Sequence, residues 1–143
     1  MFLDDVPVNY LAVLVAALVY YVIGALWYAP FFFGNRWMKH HENEVPVEPQ
    51  QKHTLCCIGS YAGEFIISLI LAYVLALFIE ISQAGEIVEG IAIALWVWIG
   101  FIATTHFSAV LWGRKTVKSF FIHAGFMLLG LIAMGAVIMS FEQ

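Results

Sequence analysis

Four long stretches of this chain, approximately Val6 to Trp27, Leu55 to Ile79, Ile87 to Leu111 and Phe120 to Phe141, contain no Lys, Arg or Asp. Crossing roughly 30 Å of hydrocarbon as a helix takes about 20 apolar residues at about 1.5 Å rise each, so every one of the four is long enough to span a bilayer. A strand of a transmembrane barrel would instead show about ten residues of strict alternation. Segments such as VLVAALVYYVIGAL and LLGLIAMGAVIM are apolar on all sides, as befits helices surrounded by lipid and by one another. The expected fold is all-α, an integral membrane four-helix transmembrane bundle built from two antiparallel hairpins and forming a single domain over residues 1–143.

Composition excludes the alternatives. The chain is 63% apolar and 11% charged, against about 45–50% and roughly 25% for a soluble domain. Six Lys and Arg against ten Asp and Glu leave no basic surface to neutralise the phosphates of a nucleic acid. The leader MFLDD is acidic where the start of a signal peptide is basic, so the first stretch is expected to remain a span.

The charges that do occur are sorted. All six basic residues lie in two connections, Arg36, Lys39 and Lys52 after the first span and Arg114, Lys115 and Lys118 after the third. The amino terminus, the second connection and the tail carry acids, namely Asp4, Asp5, Glu80, Glu86, Glu89 and Glu142. By the positive-inside rule the two basic connections face the cytoplasm and both termini face away, in a plasma or inner membrane. The long connection, Gly34 to Thr54, turns polar, and Pro46 and Pro49 block a continuous helix there. Trp27, Tyr28, Trp37 and Trp112 cluster near that same interface, where amphipathic rings anchor a chain.

The run Gly24-Ala25-Leu26-Trp27-Tyr28-Ala29-Pro30, followed by Phe33-Gly34-Asn35-Arg36-Trp37, resembles the signature of the small membrane proteins grouped as domain of unknown function 1761. The stretches Trp98-Ile99-Gly100-Phe101-Ile102-Ala103-Thr104-Thr105, Gly113-Arg114 and Phe120-Phe121-Ile122-His123-Ala124-Gly125-Phe126 are similar to that family's second half. The resemblance covers nearly the whole chain and implies a four-helix membrane protein with no established activity. It also implies that Asn often stands at the position of His123 and a small polar residue at that of His106, which weighs against a catalytic role for either.

Glu64 is the one acid well inside a span. An ionised residue at mid-helix costs about 2.5–3.5 kcal/mol on insertion scales, and such residues face the bundle interior or a wet cavity. Helical spacing puts Cys56, Ser60, Glu64, Ser68 and Ala72 on one stripe, which reads either as a close helix contact or as a path for something polar. His106, near the end of the third span, and His123, near the start of the fourth, lie in the same half of the bilayer as Glu64. Two histidines and a carboxylate form a ligand set for iron or zinc, although no HExxH-type spacing fixes them on one face; hydrogen-bonded interior histidines are the other reading. His53, Cys56 and Cys57, with His40 and His41, are candidate metal ligands without paired CxxC or HxxxH spacing. No cofactor is identified.

Small residues mark packing faces. Gly59 and Gly63 form a GxxxG, Gly100, Thr104 and Ser108 recur every fourth residue, and Gly125, Gly130 and Gly135 thin the fourth span. This is more close-packing surface than one small bundle needs, so a homo-oligomer is expected, with the Gly100 stripe as a possible polar passage. No catalytic motif occurs, and an enzyme is unsupported. The expected function is an oligomeric channel or carrier for a small solute or proton, acting through the intramembrane polar residues Glu64, His106, His123, Ser60, Ser68, Thr104 and Ser108. The alternative is a structural or metal- or lipid-binding membrane module within a larger assembly.

Overall fold

A computed structural model describes residues 5–28 and 51–143, with side chains of the second helix described from Ile58 onward. Among the described residues it holds four helices: α1 (Tyr10–Trp27), α2 (Gln51–Ile81), α3 (Ile87–Leu111) and α4 (Val117–Glu142). All four are long and apolar enough to cross a membrane, α2 by its residues Ile58–Ile81 alone. Large apolar side chains such as Leu14, Leu18, Ile66, Ile70 and Phe121 are exposed on the outer faces, a surface that suits lipid and not water.

Helix boundaries follow capping chemistry more closely than hydropathy. The first apolar run begins at Val6, but α1 begins at Tyr10 because the Asn9 side chain accepts hydrogen bonds from the amides of Leu11 and Ala12 at 3.1 and 3.3 Å. Glu86 and Glu89 form a reciprocal capping box that starts α3. Thr116 caps α4 by accepting from the Ser119 amide, so α4 starts at Val117, ahead of the apolar run at Phe120. The helix α3 stops where Gly113 takes a φ of 71°, the left-handed turn that closes many helices.

α4 sits at the centre, packed against α1 on one side and α3 on the other, with α2 against α1. The α3–α4 contact is close because two glycines meet: a Cβ on Gly135 would lie 2.8 Å from the carbonyl oxygen of Gly90. Gly130 makes room for the ring of Tyr20, which is fully buried and lies 5.0 Å from Phe126 centroid to centroid. Leu75, Ile79, Leu131, Met134, Ile138 and Met139 complete a dense apolar core.

Within α3 the backbone changes from α to π over Trp98–Ala103 and returns to α at Thr104. A π turn inserts the equivalent of one residue, which re-phases the following residues by roughly 100°. Trp98 stands at its start and donates its indole N–H to the Ala124 carbonyl of α4 at 2.9 Å.

Candidate functional site

Between α1, α2 and α4 lies a cavity of about 580 Å³, within the range of small-molecule sites. α1 contributes Tyr20, Tyr21, Gly24, Ala25 and Tyr28; α2 contributes Ser60, Tyr61 and Glu64. The far wall is Arg114, Lys115 and Thr116 of the α3–α4 turn, with Ser119, His123 and Phe126 of α4. Acid, bases, phenols and an imidazole therefore share one space in an otherwise apolar molecule. Glu64 lies nine residues past Leu55, where the apolar run of α2 starts, roughly 13 Å along the helix axis at 1.5 Å per residue.

The expected stripe on α2 splits in two. Ser60 and Glu64 line the cavity, while Ser68 and Ala72, each 0% exposed, turn into the core. Ser68 donates its hydroxyl to the Glu64 backbone carbonyl at 2.7 Å, so its polar group is satisfied inside its own helix. Among the described residues the Glu64 carboxyl makes no hydrogen bond to either histidine, and Tyr20 and Tyr28 are phenols that line the same cavity.

The two histidines do come together. Their ring centroids are 4.9 Å apart, with planes inclined by 35°. His106 donates its Nδ1–H to the Ile102 carbonyl one turn back at 2.9 Å; because a carbonyl only accepts, this bond sets the tautomer. Tyr28 Oη lies 2.6 Å from His123 Nδ1, joining the end of α1 to α4. His106 and Lys115 are the basic neighbours of His123. No group of three His, Cys, Asp or Glu with metal-holding geometry occurs among the described residues, so Glu64, His106 and His123 are not gathered around one point. His40 and His41, and the side chains of His53, Cys56 and Cys57, lie outside the described residues.

The third-span stripe is not part of the cavity. Thr104 is exposed and donates to the Gly100 carbonyl at 2.7 Å, and Ser108 lines a separate shallow groove with Trp112 and Arg114. Among the described residues, no other part of the fold comes within 4 Å of where a Cβ on Gly59, Gly63 or Gly100 would stand. They make no close packing contact there, unlike Gly90, Gly130 and Gly135.

Two residues assigned to interfacial anchoring have structural work. Trp27 is half-buried and donates its indole N–H to the Ile122 carbonyl at 3.0 Å, and Tyr28 holds His123. Trp112, 81% exposed, fits the anchoring role, and Trp37 lies outside the described residues. Of the cavity tyrosines the sequence singles out Tyr28 alone, as an anchor, and not Tyr20, Tyr21 or Tyr61. A signal was present, since Tyr20, Gly24 and Tyr28 recur every fourth residue and so share one face of α1.

A family model described as Protein of unknown function (DUF1761) matches residues 11–139 of the chain. No curated protein and no solved structure matches it.

Proposed function

Since the chain belongs to the family described as Protein of unknown function (DUF1761), we propose its function from its own geometry: a membrane-embedded solute-binding protein acting as a carrier, with its site entered from the cytoplasmic face. The single observation behind this reading is the cavity between α1, α2 and α4, in which Glu64, Tyr28 and His123 share one space with Arg114 and Lys115. Intramembrane acids mark substrate or ion paths. The core around Leu75, Leu131 and Met134 is closed, which favours alternating binding and release over an open channel.

The orientation belongs to the same proposal. Arg114 and Lys115 in the lining, with Lys118 on the next turn, support an opening on the cytoplasmic side with both termini outside. The open faces of Gly59, Gly63 and Gly100 support assembly with further copies of the chain, because small residues let helices approach closely in lipid.

The test is flux in proteoliposomes. A panel of small zwitterions, organic cations, organic anions and protons should include at least one solute whose movement depends on the protein and is lost in Glu64→Gln. Flux unchanged by Glu64→Gln across the panel would contradict the reading.

A further inference from the structure

Two opposite charges line this cavity and do not neutralise each other. Among the described residues Glu64 pairs with neither Arg114 nor Lys115, although an acid and two bases that reached one another would be expected to do so in a low-dielectric space. Among the described residues nothing engages either side, and the cavity they line has the volume of a small-organic-molecule site.

Each end has its own chemistry. The α1 and α2 walls that share the cavity with Glu64 are aromatic: Tyr20, Tyr21 and Tyr61. An organic ammonium suits a carboxylate flanked by rings, because ring faces attract cations and the ligand's carbon atoms replace water at apolar walls. At the other end Arg114 and Lys115 stand beside the first turn of α4, capped by Thr116. A guanidinium fork, an ammonium and the positive end of a 26-residue helix suit the several oxygens of a phosphate.

We infer that the cavity between α1, α2 and α4 binds a phosphate ester that also carries an ammonium group, with the phosphate at Arg114 and Lys115 and the ammonium at Glu64. This is the chemistry shared by zwitterionic phospholipid headgroups and by their soluble phosphoamino-alcohol counterparts. It rests on the reading of the cavity as a solute site and adds to it the class of ligand.

The experiment is a titration of the full chain in nanodiscs of anionic lipid, following intrinsic fluorescence and calorimetric heat. The probes are phosphocholine, phosphoethanolamine, choline, ethanolamine and inorganic phosphate. At least one phosphorylated amine should bind about tenfold or more tightly than both its own amino alcohol and inorganic phosphate. Glu64→Gln should erase the advantage over phosphate. Arg114→Gln with Lys115→Gln should erase the advantage over the amino alcohol. Both variants must keep the wild-type melting profile, and Lys118→Gln serves as a control for the loss of a basic charge outside the cavity. If adding phosphatidylcholine or phosphatidylethanolamine to the disc competes with the soluble probe, the lipid is the source of the headgroup; if it does not, a free solute is. Equal affinity for a probe and one of its halves, or no binding of either phosphorylated amine, overturns the inference. Glu64-dependent flux of some other solute in the proteoliposome panel would then leave the carrier reading standing by itself.

Discussion

Tyr28 Oη and His123 Nδ1 lie 2.6 Å apart, so the residue that closes α1 is tied to the wall of the cavity on α4. Since Tyr28 follows directly on Trp27, whose indole also bonds to α4, the end of α1 is held there by two adjacent side chains. The strength of the Tyr28–His123 bond is accessible by a double-mutant cycle. Tyr28→Phe and His123→Phe are each expected to lower stability, and the double variant to lose less than their sum by about 1 kcal/mol, the usual net worth of one hydrogen bond. Thermal unfolding in detergent gives the three differences, and strict additivity would mean that the contact carries no stability.

Glycines separate into two classes with opposite expected responses. Gly135→Ala drives a methyl group against the Gly90 carbonyl and should destabilise the fold by about 1–3 kcal/mol, as overpacking does. Gly59→Ala, Gly63→Ala and Gly100→Ala meet nothing among the described residues and should leave the stability of the chain unchanged or raise it, by up to about 1 kcal/mol, through helix propensity. Replacing Gly59 and Gly63 together by Leu should leave the single chain folded and reduce its assembly, read by native mass measurement. An unaltered oligomer, or a wild-type protein found only as single chains, would remove the proposed packing role.

The π segment accounts for the position of His106. Deleting Ile99 should convert Trp98–Ala103 to ordinary α-helix and rotate everything after it by roughly 100°, carrying His106 off the α4 face. Cysteine pairs placed at His106 and His123 in a Cys56→Ser, Cys57→Ser background should then crosslink in the otherwise unaltered chain and fail to do so in the deletion variant. Crosslinking in both would show that the π turn does not set this contact.

Sidedness has a direct expectation. A reporter active only in the cytoplasm should work when inserted between Glu44 and Gln51 and fail when fused after Gln143, because every basic residue lies in or beside the first and third connections. The reverse pattern would invert the molecule and put the cavity mouth outside.

The spans and the bundle were legible in the sequence because hydropathy acts over 20 residues at a time and lipid leaves only the helix as a solution for such segments. Their ends were less so: Asn9, Glu86 and Thr116 fix them through local capping hydrogen bonds that no window average detects. Glu64, Ser60 and His123 were found as candidates because a polar group in hydrocarbon is conspicuous on its own. Arg114, Lys115 and Tyr28 were read instead as topology signals and anchors, since their rank as cavity walls depends on helix rotation, which an almost uniformly apolar chain does not encode. The partnership of His106 with His123 rests on a π turn whose residues, WIGFIA, carry no recognised mark of it.

The central claim is that the space between Glu64 and the α3–α4 turn is wet and reached from the basic face. Its most direct measurement is the rate at which a charged, membrane-impermeant maleimide modifies Ala25→Cys, Ser60→Cys and Ser119→Cys in a Cys56→Ser, Cys57→Ser background, in inside-out and right-side-out vesicles. All three positions line the cavity, and Leu131→Cys, fully buried, is the reference. The expected result is rapid modification of the three cavity positions in inside-out vesicles only, with Leu131→Cys unmodified in both. Cavity positions that react no faster than Leu131→Cys, or only in right-side-out vesicles, would contradict it.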